Sequence, residues 1–308
     1  MAKVTKVAKI WLDGKFIPWD EANVHILTHT LHYGLGVFEG IRAYKCQNGK
    51  TAIFRLKDHI NRLYDSAKIS LITIPYKKEK IIGACKELFR VNKLAEGYLR
   101  PIVFIGDGEM GLYAIDNPIR VALIAWPWGT YLGEEGVKNG IRAKVSSYTR
   151  LTVNTLMTKS KTCGNYINSI LAKREVLKGG YEEAIMLDHE GYISEASGEN
   201  IFVVKGSIAA TPPVGSSILK GITRDCVMKI LTDNKNPVRE DRITRDTAYV
   251  ADEIFLSGTA AEITPIRELD DRSIGTGKPG SITQMVQKTY FDIVRGKNKK
   301  YEEWLDYL

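Results

Sequence analysis

At 308 residues the chain is longer than one ordinary domain, so two domains are the natural division. Its 44% hydrophobic and 26% charged residues suit a globular chain in water, and the net charge of +8 is spread along the sequence. That spread excludes a clustered nucleic-acid footprint, and the longest apolar run, VALIAW from Val121, is far too short for a membrane span. Cys46, Cys85, Cys163 and Cys226 form no CxxC pair, which argues against a zinc knuckle or a disulfide scaffold. The opening MAKVTKVAKIWLDGKFI lacks the apolar stretch of a signal peptide, so the expectation is a reduced, soluble, cytoplasmic protein.

In chain order, KIWLDGKFIPW predicts a hairpin across Asp13-Gly14. Leu56, Ile60, Leu63 and Ala67 fall on one helical stripe of RLKDHINRLYDSAKISL, and KEKIIGACKELFRVNKL predicts a second helix. GYLRPIVFIG and PIRVALIAW predict strands. The aromatic, glycine-rich PWGTYLGEEG then breaks all periodicity, which divides the chain into a small domain over 1–126, a linker over 127–136 and a large domain over 137–308. Beyond it, a helix follows the segment TKSKTCGNY. Strands are expected at EEAIMLD, NIFVVKG and, as one unit, EIFLSGTAAEITPI, with a helix at GITRDCVMKIL. The irregular alternation of strands and helices predicts an α+β fold with two layered domains. The basic cluster Lys297–Lys300 reads as a solvated patch.

Several motifs invite a function and fail on context. GDGEMG (106–111) and GTGKPG (275–280) match a dinucleotide fingerprint in letters, but the first is followed by LYAIDNP, which breaks any helix within a few residues, and the second carries a proline inside the turn, so both read as turns. His25, His29 and His32 have the spacing of metal ligands on one helix face, yet the segment ends in HYGLG and carries no HExxH glutamate; no metal site is expected. There is no GxSxG elbow, and nothing in the sequence brings Glu39 and Glu109 together as an acid pair.

Four other corners carry more chemistry. Lys159 and Lys161 precede a small, glycine-containing bend, where an amine could be held in its neutral, nucleophilic form. Glu195 lies between a glycine turn and an apolar strand, either solvated or aimed inward. Ile222-Thr223 opens a helix after Gly221, a ready anion site or a plain cap. Ser257-Gly258-Thr259 leaves a strand with small residues that allow close approach of a ligand. An amine, a carboxylate and two anion corners are the parts needed to hold pyridoxal 5′-phosphate.

The ordered segments LHYGLGVFEGIRAY, RLYDSAK, GYLRP, WPWGTYLG, CGNYINS, EGYISEASGENIF, GITRD and SGTAAEITP give the chain a family likeness. From about Trp11 past Gly280 it resembles the branched-chain amino acid aminotransferases, members of the fold-type IV pyridoxal-phosphate enzymes. The resemblance implies the two-domain fold shared with D-amino acid aminotransferase, with the cofactor between the domains. It implies that Lys161 is the Schiff-base lysine and proton carrier, leaving Lys159 to solvent. Glu195 would partner the pyridine nitrogen, Tyr166 the ring oxygen, and Arg62, Ile222, Thr223 and Thr259 the phosphate, with Leu219 also at the cofactor. Tyr33, Phe38, Tyr98, Arg100, Trp128 and Tyr131 would line the substrate pocket, and the amides of Thr259 and Ala260 would take the α-carboxylate. Lys220 departs from the pattern, adding positive charge beside the phosphate corner.

The implied activity is ping-pong transamination of L-leucine, L-isoleucine or L-valine with 2-oxoglutarate by a homodimer or higher oligomer. Small amino and 2-oxo acids are then the partners, with no nucleic acid and no membrane. Within the fold type the alternatives are a D-amino acid or (R)-amine transaminase or an aminodeoxychorismate lyase. The remote one is a non-enzymatic basic binding module.

Overall fold

The Asp13-Gly14 turn forms as its sequence predicts. Both residues take positive φ, 46° and 94°, as a two-residue hairpin turn requires, and they join Lys9–Leu12 to Lys15–Pro18 in antiparallel register. The structure, a computed structural model, describes residues 4–129 and 132–308; Tyr131, one of the expected pocket aromatics, lies outside the described residues. These residues group into two units, each discontinuous in sequence. The first holds 4–129, 160–164 and 293–308; the second holds 132–159 and 165–292.

The first unit is built on an eight-stranded sheet. Its order runs Leu305–Tyr307, Thr51–Phe54, Ile41–Lys45, Gly97–Ile105, Ile119–Trp126, Lys9–Leu12, Lys15–Pro18, with Gly36–Phe38 also paired to Gly97–Ile105. The predicted helices form over Leu56–Ile69 and Lys78–Val91. The stripe Leu56, Ile60 and Leu63 is fully buried, each side chain contributing roughly 1.5–3 kcal/mol on leaving water. A continuous domain over 137–308 is not what the contacts give. Residues 293–308 belong to the first unit, because Leu305–Tyr307 pairs antiparallel with Thr51–Phe54. Residues 160–164 belong there too, through a bridge between Val37 and Thr162 and a bond from Gly164 N–H to Gly34 O.

The second unit carries a nine-stranded mixed sheet. Its centre is Ile141–Val145, Glu262–Leu269, Glu253–Gly258 and Asn200–Lys205, and cross-strand stacking of Phe202 on Phe255 (5.0 Å between centroids) lies within it. The helix after the lysine segment spans Tyr166–Lys178, and GITRDCVMKIL is helical over Ile222–Asp233. Two expectations change. EIFLSGTAAEITPI is not one strand: Glu253–Gly258 and Glu262–Leu269 fold back antiparallel, pairing Gly258 with Glu262, because small residues at 258–261 and a positive φ at Glu262 permit a tight reversal. The linker over 127–136 contains the start of a short helix, Glu134–Asn139.

GDGEMG lies in the connection between Gly97–Ile105 and Ile119–Trp126, with no helix opening from it. Only His29–Tyr33 of the histidine segment is helical. Each imidazole there meets backbone: His25 Nδ1 accepts from Leu27 N–H, His29 Nε2 lies 2.7 Å from Gly111 O, and His32 Nε2 lies 2.8 Å from Ile26 O. Among the described residues no helix is long and apolar enough to cross a membrane, and no group of His, Cys, Asp or Glu could hold a metal ion.

Candidate active site

In the first unit, Lys161 sits in a backbone grip on both sides. Its N–H donates to Ser66 Oγ at 3.0 Å, and its carbonyl accepts from Phe38 N–H at 3.1 Å. The amine lies 5.1 Å from the Phe38 ring centre. Around the same ring stand Arg100, whose guanidinium is 4.7 Å from Phe38 and 5.5 Å from Tyr98, and Trp128, edge-on to Tyr98 at 4.4 Å. Thus Lys161, Phe38, Tyr98, Arg100 and Trp128, expected from scattered segments, are one cluster. Tyr33 stands apart, 45% exposed, with His29 and His32 as its ring neighbours.

Gly40 makes the cluster possible: a methyl group there would lie 1.8 Å from the Tyr98 hydroxyl. Arg62 is off the apolar stripe of its helix, as expected, yet it is not in open water. It forms a two-point ion pair with the buried carboxylate of Glu39. Glu109, the other half of the refused acid pair, is exposed on the 106–117 loop.

The second unit holds the other expected residues. Glu195 is 4% exposed on the strand Ile193–Ala196. Its Oε1 accepts from Arg150 Nε at 2.9 Å, and its Oε2 accepts from Leu219 N–H at 3.0 Å and Asn200 Nδ2 at 3.2 Å. Arg150 is itself held by Asn168 Oδ1 and Ser169 Oγ. Arg150 and Asn200 escaped sequence reasoning, since nothing local marks an arginine in a loop as buried. Leu219 acts here through its backbone, whose carbonyl also takes Asn200 Nδ2 at 3.0 Å.

Lys159 was expected in solvent, and this is corrected. Its amine donates to the carbonyls of Val214 and, at 2.9 Å, Ile218, stapling the segment that delivers Leu219. Burial lowers its pKa, against the pull of Glu195. Lys220 is exposed.

Helix geometry leaves the first amides of Ile222–Asp233 without intrahelical acceptors, and both Ile222 and Thr223 are buried there. Arg224 adds a buried positive charge one residue on, held by Thr211 Oγ1, Pro212 O and Glu240. Ser257, 1% exposed on the strand that leads to Thr259-Ala260, has a buried hydroxyl without a partner among the described residues. An amide-rich helix start suits a phosphate, and a buried carboxylate ringed by donors suits a protonated ring nitrogen. The residues present fit pyridoxal 5′-phosphate. Gly221 opens this corner: a methyl group there would lie 1.9 Å from Asn200 Oδ1. Gly221→Ala is therefore expected to displace Asn200 and cost roughly 1–3 kcal/mol, read as a lowered unfolding midpoint in calorimetry.

The same unit also carries a pair of neighbouring buried carboxylates. Glu183, fully buried, accepts from Ser197 Oγ (2.5 Å) and pairs with Lys173, while Glu199 lies close by against Gly258. Burial, and then the charge of Glu183, push the Glu199 carboxyl up to about 8. The unfolded chain releases this proton near the ordinary value of 4.5, so Glu199 costs stability progressively as pH rises from there towards 8. Glu199→Gln is expected to flatten that decline, raising the unfolding midpoint at pH 9 more than at pH 5. An equal shift at both pH values would contradict it.

The family profile described as amino-transferase class IV matches residues 36–269. The branched-chain-amino-acid aminotransferase of Pseudomonas aeruginosa is 49% identical over 99% of this chain and 98% of its own length. The crystal structure of the Escherichia coli branched-chain amino acid aminotransferase superposes with a TM-score of 0.96 at 42% identity, covering 98% of this chain and 99% of that one. The crystal structure of the branched-chain amino acid aminotransferase from Thermobaculum terrenum, in its PLP-form, also matches. Its TM-score is 0.92 at 33% identity, over 98% of each chain. The chain belongs to the class IV aminotransferases, in the branch formed by the branched-chain-amino-acid enzymes.

Proposed function

We propose that the chain catalyses reversible transamination between L-leucine, L-isoleucine or L-valine and 2-oxoglutarate, using pyridoxal 5′-phosphate. The observation that carries the cofactor reading is the buried Glu195 carboxylate, held by three donors on a rigid strand. The close likeness to the Pseudomonas aeruginosa enzyme supports the substrate class. When bound, the cofactor supplies an aldehyde that condenses with amines and a protonated ring that accepts the electron pair left on the α-carbon.

The chain's own residues do the rest. Lys161 would provide the amine that anchors the cofactor, and the same amine would take the substrate α-proton and return it to the carbon that carried the cofactor's aldehyde, two atoms away. Glu195 keeps the ring nitrogen protonated, and the Tyr166 phenol bonds the ring oxygen. Arg62, the Ile222 and Thr223 amides, the Thr223 hydroxyl and Thr259 hold the phosphate, with Leu219 beside them. Phe38, Tyr98, Trp128 and Tyr131 receive the branched side chain. Arg100, stacked on Phe38 and Tyr98, offers charge to the side-chain carboxylate of glutamate, and the Thr259 and Ala260 amides take the α-carboxylate.

The four cysteines are free thiols, which suits work in a reducing cytoplasm. Ile167, Ile170 and Leu171 expose an apolar face of one helix, 62%, 47% and 40% exposed, supporting assembly with a second copy of the chain. Exposed Tyr33 is available to that copy's pocket.

The test is the visible spectrum of the full chain before and after L-leucine. A cofactor band that bleaches with L-leucine and returns with 2-oxoglutarate supports the reading. A band bleached only by D-alanine or an (R)-amine overturns the substrate class. A chain that stays colourless with added pyridoxal 5′-phosphate overturns the cofactor.

A further inference from the structure

Glu39 was the residue that the expected chemistry left without work. It follows Phe38 in the turn between Gly36–Phe38 and Ile41–Lys45, and its N–H donates to Pro101 O at 2.9 Å. Its side chain is fully buried against the helix Leu56–Ile69. Four donors converge on the carboxylate. Arg62 Nε reaches Oε1 at 2.6 Å, and Arg62 Nη2 reaches Oε2 at 2.9 Å. His59 Nδ1 reaches Oε2 at 2.7 Å, and Gly40 N–H at 3.2 Å. Three of these contacts fall on Oε2 and one on Oε1, so both carboxylate oxygens are engaged.

His59 and Arg62, at i and i+3, share the helix face opposite the turn, with side-chain exposures of 1% and 14%. Burial lowers the His59 pKa despite Glu39, which makes the imidazole a neutral donor. Burial would raise the Glu39 pKa, but the Arg62 charge and His59 bring it well below the usual carboxylate range. The cluster is one anion clamped on one cation.

A buried ion pair is a poor way to gain stability, since apolar side chains of similar volume do as well. It is a good way to fix the plane of a guanidinium. Glu39 occupies the Nε edge, so the fork's other edge is oriented without any loss of rotamer freedom when an anion arrives. We infer that Glu39 is a positioning residue for Arg62, that His59 completes its hold, and that together they aim the guanidinium at the cofactor phosphate. The inference rests on the reading of Arg62 as a phosphate ligand.

The experiment titrates the full chain, freed of cofactor, with pyridoxamine 5′-phosphate and with pyridoxamine, following tryptophan fluorescence. The ratio of the two affinities isolates the phosphate from the ring. Glu39→Gln and Arg62→Ala are each expected to lower the ratio at least about tenfold, as loss of a charged hydrogen bond does. Pyridoxamine binding is expected to change less than about twofold, and the double variant to add nothing further. His59→Leu should lower the ratio less steeply, and His59→Asn should restore it, because the amide N–H stands where Nδ1–H stood.

If Arg62→Ala collapses the ratio but Glu39→Gln weakens both probes equally, Glu39 is structural only and the inference is overturned while Arg62 keeps its role. If Arg62→Ala leaves the ratio unchanged, the phosphate reading of Arg62 fails and takes the inference with it. Should Glu39→Gln not fold, equal ratios in the two His59 variants overturn the inference.

Discussion

Lys161→Ala is expected to lower the rate of leucine transamination by about 10³–10⁴-fold or more, the combined worth of a nucleophile and a proton carrier at one atom. The effect should fall on kcat, with the fold intact, because the backbone bonds that grip residue 161 do not use its side chain. A small amine such as methylamine, added to the variant, should recover part of the rate by standing in for the missing group. Lys159→Ala provides the contrast. Its amine holds two carbonyls ahead of Leu219 and Ile222, so its loss should weaken cofactor retention and change kcat by only about tenfold, a charged hydrogen bond's worth. Steady-state kinetics on both variants decide the matter: a Lys161→Ala enzyme within tenfold of the parent would remove Lys161 from the chemistry.

Glu195→Gln is the second large effect. The new amide must turn an N–H toward either Arg150 or the Leu219 and Asn200 donors, so at least one donor faces another. Arg150, 8% exposed, also loses its counter-charge, and breaking such a buried pair costs about 3–5 kcal/mol. Catalysis should suffer separately, by roughly 10²–10³-fold, because a neutral partner no longer favours a protonated ring nitrogen. Urea unfolding reads the first loss and kcat the second. A variant that loses stability but keeps kcat would confine Glu195 to structure. Arg150→Met should reproduce much of the stability loss, since it leaves the same charge unpaired from the other side.

Period and turn chemistry made much of the fold legible. The 3.6-residue stripe from Leu56 to Ala67 fixed a helix and its buried face, and Asp-Gly fixed a hairpin. The reversal at 258–261 was missed because small residues extend a strand and permit a tight turn equally well; only the pairing of Gly258 with Glu262 decides between them. At the site, Lys161 and Glu195 were visible as chemistry, but choosing Lys161 over Lys159 needed the family likeness. The supporting charges were invisible for a plain reason. Arg150 reaches Glu195 across 45 positions and Arg62 reaches Glu39 across 23, and no local pattern marks a charge whose partner is that distant.

The pairing of Leu305–Tyr307 with Thr51–Phe54 also bears on how the chain is made. Arg295 donates to Lys45 O across 250 positions. A ribosome delivers roughly 5–20 residues per second, so the nascent first sheet waits some tens of seconds with one flank uncovered. The Thr51–Phe54 strand is apolar along most of its length, and an uncovered strand edge of that kind is where newly made chains stick to each other. Shortening the chain before Leu305 should therefore lower the yield of soluble protein more than it lowers the stability of whatever does fold.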